Sequence, residues 1–248
     1  MKKLIVIGLS ALLLVGCAED NVDVFKKFKN MTAPQILALG EANLEKRNYS
    51  EAAKNFEAID ALYPFDAVAE QGQLDIIYAY YKSDEYDLAV AAAGRYIHLY
   101  PRSEHTDYAY YMKGLANFER GKTWIQKFYQ IDPEQRDLSY MREAFVDFND
   151  LIKLFPNSVY AWDAREHMIY IRDLLAQQEF DVAMFYFGHK AYVAAANRAS
   201  YIVRHYSQSM QALPALKIMI KSYQELGATQ QAEDALKVLH MNYPREKL

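Results

Sequence analysis

The strongest constraint on the fold is a recurring pair formed by an aromatic residue and a proline. The pair occurs at Tyr63-Pro64, Tyr100-Pro101, Phe155-Pro156 and Tyr243-Pro244, and Tyr206-Ser207 is a fifth copy that lacks the proline. Each pair follows a helix-length amphipathic stretch that is rich in alanine. Proline cannot continue a helix, because it lacks a backbone N–H and clashes with the preceding turn. The pairs therefore mark the ends of successive helices in an internally repeated chain.

The spacing inside each repeat indicates helical hairpins of the tetratricopeptide type, whose unit is about 34 residues long. In the first unit, Gly40, Ala52 and Phe56 precede Pro64 by 24, 12 and 8 residues. These are the small, small and aromatic positions of that repeat. The second unit keeps the spacing but has Ala93 at the aromatic position. We expect the small residues to let paired helices cross closely and the aromatic residue to fill the gap to the next pair.

The predicted fold class is all-α, a tetratricopeptide-type solenoid of about five helical hairpins. The chain has 21 Tyr and 12 Phe against 9 Gly and 7 Pro, which suits long helices packed through large side chains. We predict an insertion at 121–138 in the third unit and an extra helix around 161–178 before the fourth. The insertion is either functional or a locally packed aromatic loop. A helical bundle without repeats is the alternative fold.

The first 16 residues have the pattern of a secretory signal peptide. Lys2 and Lys3 precede an apolar run of about 12 residues, which is shorter than the roughly 20 that a bilayer-spanning helix needs. The run ends in Leu14-Val15-Gly16-Cys17, which resembles the lipobox of bacterial lipoproteins, and Cys17 is the one cysteine in the chain. An ordinary signal peptide with an incidental cysteine is the alternative.

The lipobox implies that Cys17 carries a diacylglycerol thioether and an amide-linked acyl chain such as palmitate. Each buried methylene contributes about 0.8 kcal/mol, so several chains hold a protein where one binds reversibly. Bacterial lipoproteins with Asp after the cysteine tend to stay in the inner membrane, whereas Ala18 follows here. The expected location is therefore the outer membrane, facing the periplasm, with 17–31 forming the lipidated cysteine and a flexible tether.

The charge and the motifs exclude several classes of function. Without Lys2 and Lys3, the chain keeps 26 basic and 32 acidic side chains, a formal net charge of −6, so no electrostatic footprint for nucleic acid is present. No His-Glu-x-x-His pair, Gly-x-Ser-x-Gly elbow or phosphate-binding glycine loop occurs. We expect no enzyme activity, no metal and no cofactor apart from the lipid. A lytic transglycosylase, the best enzymatic rival, would need a further lysozyme-like domain.

Stacked hairpins expose the first helix of each unit on a concave groove. The groove positions of the tetratricopeptide repeat, transferred by register, fall on Leu37, Leu44, Leu74, Tyr78, Tyr81, Lys82, Tyr108, Tyr111 and Phe118, with Glu41, Glu45 and Leu115 beside them. Tyrosine has an apolar ring and a polar hydroxyl group, which suits a surface that is hydrated when empty and loses its water when a ligand binds. We expect an extended peptide with aromatic residues to bind there, with Lys82 near a carboxylate. The alternative is that about half of this set packs in the core.

The order of several short strings resembles the BamD (ComL) family, the lipoprotein subunits of the outer-membrane β-barrel assembly machinery. These strings lie at 78–82, 107–115, 144–158, 194–198 and 212–214. Together with the lipobox and the insertion in the third unit, they extend the likeness over essentially the whole chain after residue 17.

The resemblance implies an adaptor that promotes the folding and insertion of β-barrel proteins. Units one to three, at 32–156, would carry the groove that recognises the aromatic-ended C-terminal signal of unfolded barrels. Units four and five, at 157–248, would dock the POTRA region of BamA, and a BamC-like lipoprotein would be a further partner. By the same likeness, Arg198 and Arg204 are candidates for pairing with acidic residues of BamA, although both could be solvated surface.

A pilotin, a tetratricopeptide lipoprotein that escorts secretin subunits, is the nearest alternative function. Pilotins have regular 34-residue spacing without an insertion. In this chain the residues that follow the helix-ending aromatics, from Pro64 to Pro244, lie 37, 55, 51 and 37 residues apart. This irregular spacing favours the BamD-like adaptor.

Overall fold

The structure, a computed structural model, describes residues 25–127 and 137–248, with the backbone alone at 123–127. These residues form a short 3-10 helix, Lys26–Phe28, and ten α-helices, and they contain no strand. The α-helices are α1 (Ala33–Glu45), α2 (Tyr49–Leu62), α3 (Ala69–Lys82), α4 (Tyr86–Leu99), α5 (Thr106–Lys127), α6 (Ser139–Leu154), α7 (Ala161–Gly188), α8 (Tyr192–His205), α9 (Ala212–Glu225) and α10 (Thr229–Asn242). None of these helices is both long and apolar enough to cross a membrane. The predicted all-α class is confirmed.

The ten helices form five hairpin units, from α1 with α2 to α9 with α10. Each helix packs against the next one in the chain, so neighbouring helices are antiparallel. The first helices of adjacent units also contact each other, as α1 does with α3, α3 with α5, and α7 with α9. The first helices therefore share one face of the stack, which we call the inner face. This is the arrangement of a tetratricopeptide-type solenoid.

The second helix of every unit ends at the aromatic residue that marked it in the sequence. These residues are Tyr63, Tyr100, Phe155, Tyr206 and Tyr243. All five have φ between −137° and −123° and ψ between 38° and 66°. Each donates its backbone N–H to the carbonyl four residues earlier at 2.8 Å. Tyr206 does so although serine follows it, so the proline is not needed for this helix end.

The turns inside four of the units share a left-handed residue. The residues with positive φ, between 60° and 67°, are Arg47, Asp84, Lys190 and Gly227. The next residue donates its N–H to a carbonyl five residues earlier, as Asn48 does to Asn43 at 2.8 Å. This hydrogen bond closes the Schellman motif that commonly ends a helix before a sharp turn. In the third unit, residues 128–136 between α5 and α6 lie outside the described part of the chain.

Two expectations about the irregular units need correction. The insertion predicted at 121–138 begins as helix, because α5 continues through Gly121 to Lys127, while 128–136 lie outside the described residues. The extra helix predicted around 161–178 is not a separate element. It is the first part of α7, which runs for 28 residues from Ala161 to Gly188. Neither proline nor glycine occurs between Ala161 and Phe187, so nothing in the sequence interrupts the helix.

The small residues of the repeat receive aromatic rings of their own unit. The ring of Phe56 covers Gly40, and the ring of Phe148 covers Gly114. Both rings are fully buried. The aromatic position thus fills space inside its own hairpin, whereas we expected it to fill the gap to the next one.

Candidate protein-binding surface

The inner face of units one to three places most of the predicted groove residues side by side. Lys82 is exposed, and the half-buried members are Leu37, Leu44, Tyr78, Tyr81, Tyr108 and Tyr111. The last two predicted members, Leu74 and Phe118, are buried in the core, with 6% and 8% of their surfaces exposed. Tyrosine rings therefore line this face, as the repeat register predicted, but fewer residues contribute to it than were predicted.

Leu74 and Phe118 need a structural explanation because the register placed them on the surface. The Phe118 ring is covered by His167 and Tyr170 of α7, with ring centroids at 4.7 and 5.6 Å. Leu74 belongs to the core of the first two units. It also borders a cleft formed with the turn that contains Ser103. Both side chains hold helices together in this structure and are not available to a ligand.

Tyrosines from the second helices extend the aromatic surface. The Tyr49 ring, at the start of α2, meets Tyr78 edge-on with centroids 6.4 Å apart, and the Lys82 Nζ lies 5.9 Å from the Tyr49 ring centroid. The Tyr86 ring, at the start of α4, lies 5.8 Å from that of Tyr81. These contacts form a patch of four rings beside one ammonium group, which we call the aromatic patch (Tyr49, Tyr78, Tyr81, Tyr86 and Lys82).

The groove positions of the repeat did not predict Tyr49 and Tyr86, because those positions lie on first helices while these tyrosines begin second helices. A signal was nevertheless present in the sequence. A tyrosine recurs two residues after the left-handed turn residue in three units, at Tyr49, Tyr86 and Tyr192. This position opens the second helix, where the chain has just turned away from the inner face.

Tyr108 and Tyr111 make structural contacts between α5 and α7. The Tyr111 ring stacks on Tyr160, with centroids 4.7 Å apart and planes 15° apart, and its hydroxyl donates to Asp163 Oδ2 at 2.6 Å. The Tyr108 ring also lies against Tyr160, at 5.8 Å. Burial, followed by the hydrogen bond to Asp163, raises the pKa of Tyr111. These two tyrosines therefore join the third unit to the fourth.

Tyr78 and Tyr81 differ from Tyr111 in their hydroxyl groups. Neither hydroxyl makes a hydrogen bond within the part of the chain that the structure describes. Burial raises the pKa of Tyr81, and nearby carboxylates, Glu119 first, add to this effect. Both residues are half-buried and their rings are held by packing, so their hydroxyls can donate to an incoming polypeptide.

Carboxylates give the inner face a negative component. Burial raises the pKa of Asp75 to about 6. The hydrogen bond from Gln71, at 2.9 Å, opposes this shift, and the nearby carboxylate of Glu41 adds to it. Lys82 lies on the same helix, one residue beyond Tyr81. The face thus combines aromatic rings with charges of both signs.

The two predicted docking arginines lie on α8, in the fourth unit. Arg198 Nη1 pairs with Glu179 Oε2 of α7 at 3.0 Å and lines a cleft of about 370 Å³. Arg204 is exposed, and its Nε donates to the carbonyl of Ser200 at 3.3 Å. The structure therefore holds Arg198 within the unit and leaves Arg204 directed toward solvent.

An exposed stripe accompanies Arg204 along α8. Val193, Asn197 and Tyr201 recur at four-residue spacing, so they share one side of the helix. Val193 is 60% exposed, although it is fully apolar. Among the described residues, no group of three His, Cys, Asp or Glu side chains could hold a metal ion. The outer side of α8 therefore exposes apolar area beside a charged side chain.

Comparison with known proteins decides the family. The profile of a family described as "Outer membrane lipoprotein" (YfiO) matches residues 29–239. The outer membrane protein assembly factor BamD of Haemophilus influenzae is 34% identical over 242 residues, covering 98% of this chain and 90% of that protein. The chain belongs to the BamD family. BamD of Neisseria meningitidis serogroup A is 36% identical over 247 residues, covering 99% and 92%, and BamD of Vibrio cholerae is 34% identical over 236 residues, covering 95% and 96%.

Membership of the BamD family confirms the resemblance drawn from the short strings. Members of this family are assembly factors, not enzymes, and they use no cofactor. The chain is accordingly a non-catalytic assembly protein.

Proposed function

We propose that this BamD-family protein is a lipid-anchored adaptor that promotes the folding and insertion of β-barrel proteins at the periplasmic side of the outer membrane. The inner face binds unfolded barrel polypeptides. The C-terminal units dock the POTRA region of a BamA-type partner, and a BamC-like lipoprotein is a further partner. The similarity to outer membrane protein assembly factors over nearly the whole chain carries this proposal.

The aromatic patch suits an extended peptide that ends in an aromatic residue. The ring of that residue would pack among Tyr49 and Tyr78, where each aromatic contact contributes about 0.5–1.5 kcal/mol beyond its buried area. The terminal carboxylate would meet the Lys82 ammonium, which lies above the Tyr49 ring and is exposed. The hydroxyls of Tyr78 and Tyr81 would donate to peptide carbonyls.

The outer stripe of α8 suits a folded partner. Val193 and Tyr201 supply apolar area, and Arg204 supplies a charge that does not form an ion pair within the described residues. A partner with an acidic side chain opposite Arg204 would combine both contacts. Arg198 would have to exchange its internal bond to Glu179 for a bond to the partner, which makes Arg204 the better candidate.

Replacing both Tyr78 and Tyr81 by alanine is expected to weaken the binding of an aromatic-ended peptide about tenfold, because two ring contacts are lost. Fluorescence anisotropy of a labelled barrel C-terminal peptide measures this effect. Tyr111 is left intact, because its loss would also separate α5 from α7. Circular dichroism should show unchanged helicity in the double variant.

Tyr201→Ala, which removes the same side chain from the outer stripe, is the matched control. It should leave peptide binding unchanged, while Tyr201→Ala with Arg204→Ala should weaken binding to a POTRA fragment. If the Tyr78 and Tyr81 variant bound peptide as well as the parent protein, the inner-face site would be wrong. Crosslinking from position 78 to a secretin subunit would favour the pilotin alternative.

The lipid anchor is proposed from the lipobox, since Cys17 lies outside the described residues. Cys17→Ala is expected to move the protein from the membrane fraction to the soluble periplasmic fraction. Two acyl attachments hold a protein permanently, whereas none remains in the variant. The measurement is fractionation after a urea wash that removes protein-bound material, with immunoblotting of each fraction.

Ala18→Asp distinguishes attachment of the lipid from transport of the lipoprotein to the outer membrane. This variant should keep its lipid but sediment with the inner membrane in a density gradient. Persistence of the Cys17→Ala protein in urea-washed outer membranes would contradict lipid anchoring.

A further inference from the structure

The first helix of the fourth unit exposes large apolar side chains of its own. Trp162, Ile169 and Tyr170 of α7 are 69%, 43% and 53% exposed. Tryptophan and tyrosine are enriched among the residues that contribute most of the binding energy of protein interfaces. Packing among the described residues therefore leaves a second apolar surface, which we call the α7 patch (Trp162, Glu166, Ile169 and Tyr170).

The helical register places the α7 patch on the inner side of the stack. Ala164 and Ile171 are fully buried in the core of the third unit. Phe148 of α6 belongs to the same core, which thus lies between the first and the second helices. Trp162 and Ile169 each precede one of the buried α7 residues by two positions, a rotation of about 200° around an α-helix. They therefore point away from the core and toward the inner face.

Tyr170 joins the α7 patch to the inner face of α5. Its ring meets the Phe118 ring edge-on, with centroids 5.6 Å apart. Phe118 is a predicted groove residue that is buried in this structure, and the exposed Tyr170 covers it. On the other side of α5, α3 carries Tyr78, Tyr81 and Lys82 of the aromatic patch. The two patches thus lie on the same face, with α5 between them.

The separation of the two patches sets the length of a peptide that reaches both. Packed helices lie about 8–10 Å apart, so the axes of α3 and α7 are roughly 16–20 Å apart. An extended chain advances about 3.3 Å per residue and covers this distance in about five or six residues. Successive side chains of an extended chain point to opposite sides, so only an even step returns to the same face. The sixth residue before a terminal aromatic residue would therefore face the α7 patch.

Carboxylates beside the rings indicate the charge of the ligand. Glu166 is exposed and lies one helical turn from both Trp162 and Tyr170. The exposed Glu41 of α1 and the half-buried Asp75 of α3 add two further carboxylates to the inner face. None of these three carboxylates forms an ion pair with another residue that the structure describes. A polypeptide with lysine or arginine side chains would complement them.

We propose that the α7 patch is a second subsite for the unfolded barrel polypeptide whose C-terminal aromatic residue binds at the aromatic patch. It takes an apolar side chain six residues before that aromatic residue, and Glu166 pairs with a neighbouring basic side chain. Strands of membrane β-barrels alternate apolar and polar residues, so they present apolar side chains at such even steps. The inference rests on the peptide binding in the proposed function, and it adds selection for alternating segments.

Two labelled peptides of identical composition test the spacing. Both end in phenylalanine and contain one leucine and one lysine among serine and threonine residues. The leucine stands six residues before the phenylalanine in the first peptide and five residues before it in the second. Fluorescence anisotropy with the full lipidated protein in nanodiscs should show about tenfold tighter binding of the first peptide, because only its leucine is buried against α7.

Substitutions in the α7 patch should abolish this preference. Trp162→Ser with Ile169→Ser is expected to bind the two peptides equally, with unchanged circular dichroism because both side chains are exposed. Leu154→Ser is the matched control. Leu154 is 57% exposed but belongs to the second helix α6, so this variant should keep the full tenfold preference.

A shorter peptide, the last five residues alone, separates this inference from the proposed function. If it bound in a manner sensitive to Tyr78→Ala with Tyr81→Ala, while the two longer peptides bound equally, the α7 subsite would be overturned and the proposed function would stand. If none of the peptides bound, both would be overturned. A parent protein that forms a dimer in sedimentation velocity, and loses it in the Trp162→Ser variant, would assign the α7 patch to a second copy of the chain and overturn the inference.

Discussion

Gly40→Ala should lower the free energy of unfolding by about 1–3 kcal/mol, since overpacking a filled core has costs of this order. A Cβ atom at Gly40 would fall inside the van der Waals envelope of three carbon atoms of the Phe56 ring. The ring is 1% exposed and surrounded by core residues, so it has no space into which to move. Urea denaturation followed by circular dichroism measures the change. Gly114 is the second such site, where the nearest atom of the Phe148 ring would lie at 2.6 Å.

Gly94→Ala is a control for this substitution, because it should change the free energy of unfolding in the opposite direction. Gly94 is inside α4, and a Cβ there would meet nothing within 4 Å. The alanine should stabilise the protein by about 0.5–1 kcal/mol through helix propensity. Adding Phe56→Leu to Gly40→Ala should recover part of the loss, because the two residues share one space. Equal effects at Gly40 and Gly94 would disprove the packing argument.

Asp147→Ala should lower the free energy of unfolding by about 1–3 kcal/mol, the cost of leaving a buried polar group without its hydrogen-bond partner. The Asp147 side chain is 7% exposed, and its Oδ1 accepts from Lys113 Nζ at 2.8 Å. Its Oδ2 accepts from Asn117 Nδ2 at 2.7 Å, and Asn117 is itself 2% exposed. The substitution therefore leaves an ammonium and a buried amide of α5 without their acceptor on α6. Chemical denaturation with both variant and parent protein measures the loss.

Asp87→Ala provides the matched surface pair. Asp87 Oδ1 lies 2.6 Å from Arg120 Nη2, but the Asp87 side chain is 80% exposed. Exposed pairs contribute about 0–1 kcal/mol, so this variant should unfold at nearly the parent urea concentration. If Asp147→Ala were as mild as Asp87→Ala, the bonds between α5 and α6 would be of no consequence for stability.

The sequence predicted the helix ends well because a local signal determines them. An aromatic residue closes each second helix with the same backbone geometry, whether proline follows, as after Tyr63, or serine, as after Tyr206. The pairing of helices followed from the repeat spacing. The continuity of α7 was missed because the 34-residue register implies a boundary that no residue between Ala161 and Phe187 enforces.

The site was harder to predict because exposure depends on neighbours that the register does not contain. Phe118 occupies a groove position, yet the lengthened α7 places His167 and Tyr170 over its ring. Tyr49 belongs to a second helix, yet it reaches the Tyr78 ring from the turn. The positions of a single repeat cannot predict the contacts between neighbouring units that differ in length.

The undivided α7 has a mechanical consequence for the whole stack. Near its start, Asp163 accepts from Tyr111 on α5, and near its end, the Phe187 ring meets Tyr192 on α8 at 5.5 Å. Ile171 and Leu175 lie in the core of the third unit, and Ala176 lies in the core of the last two. Because α7 is one uninterrupted helix that packs into both cores, we expect a change in its tilt at the Tyr111 contact to move its other end beside α8.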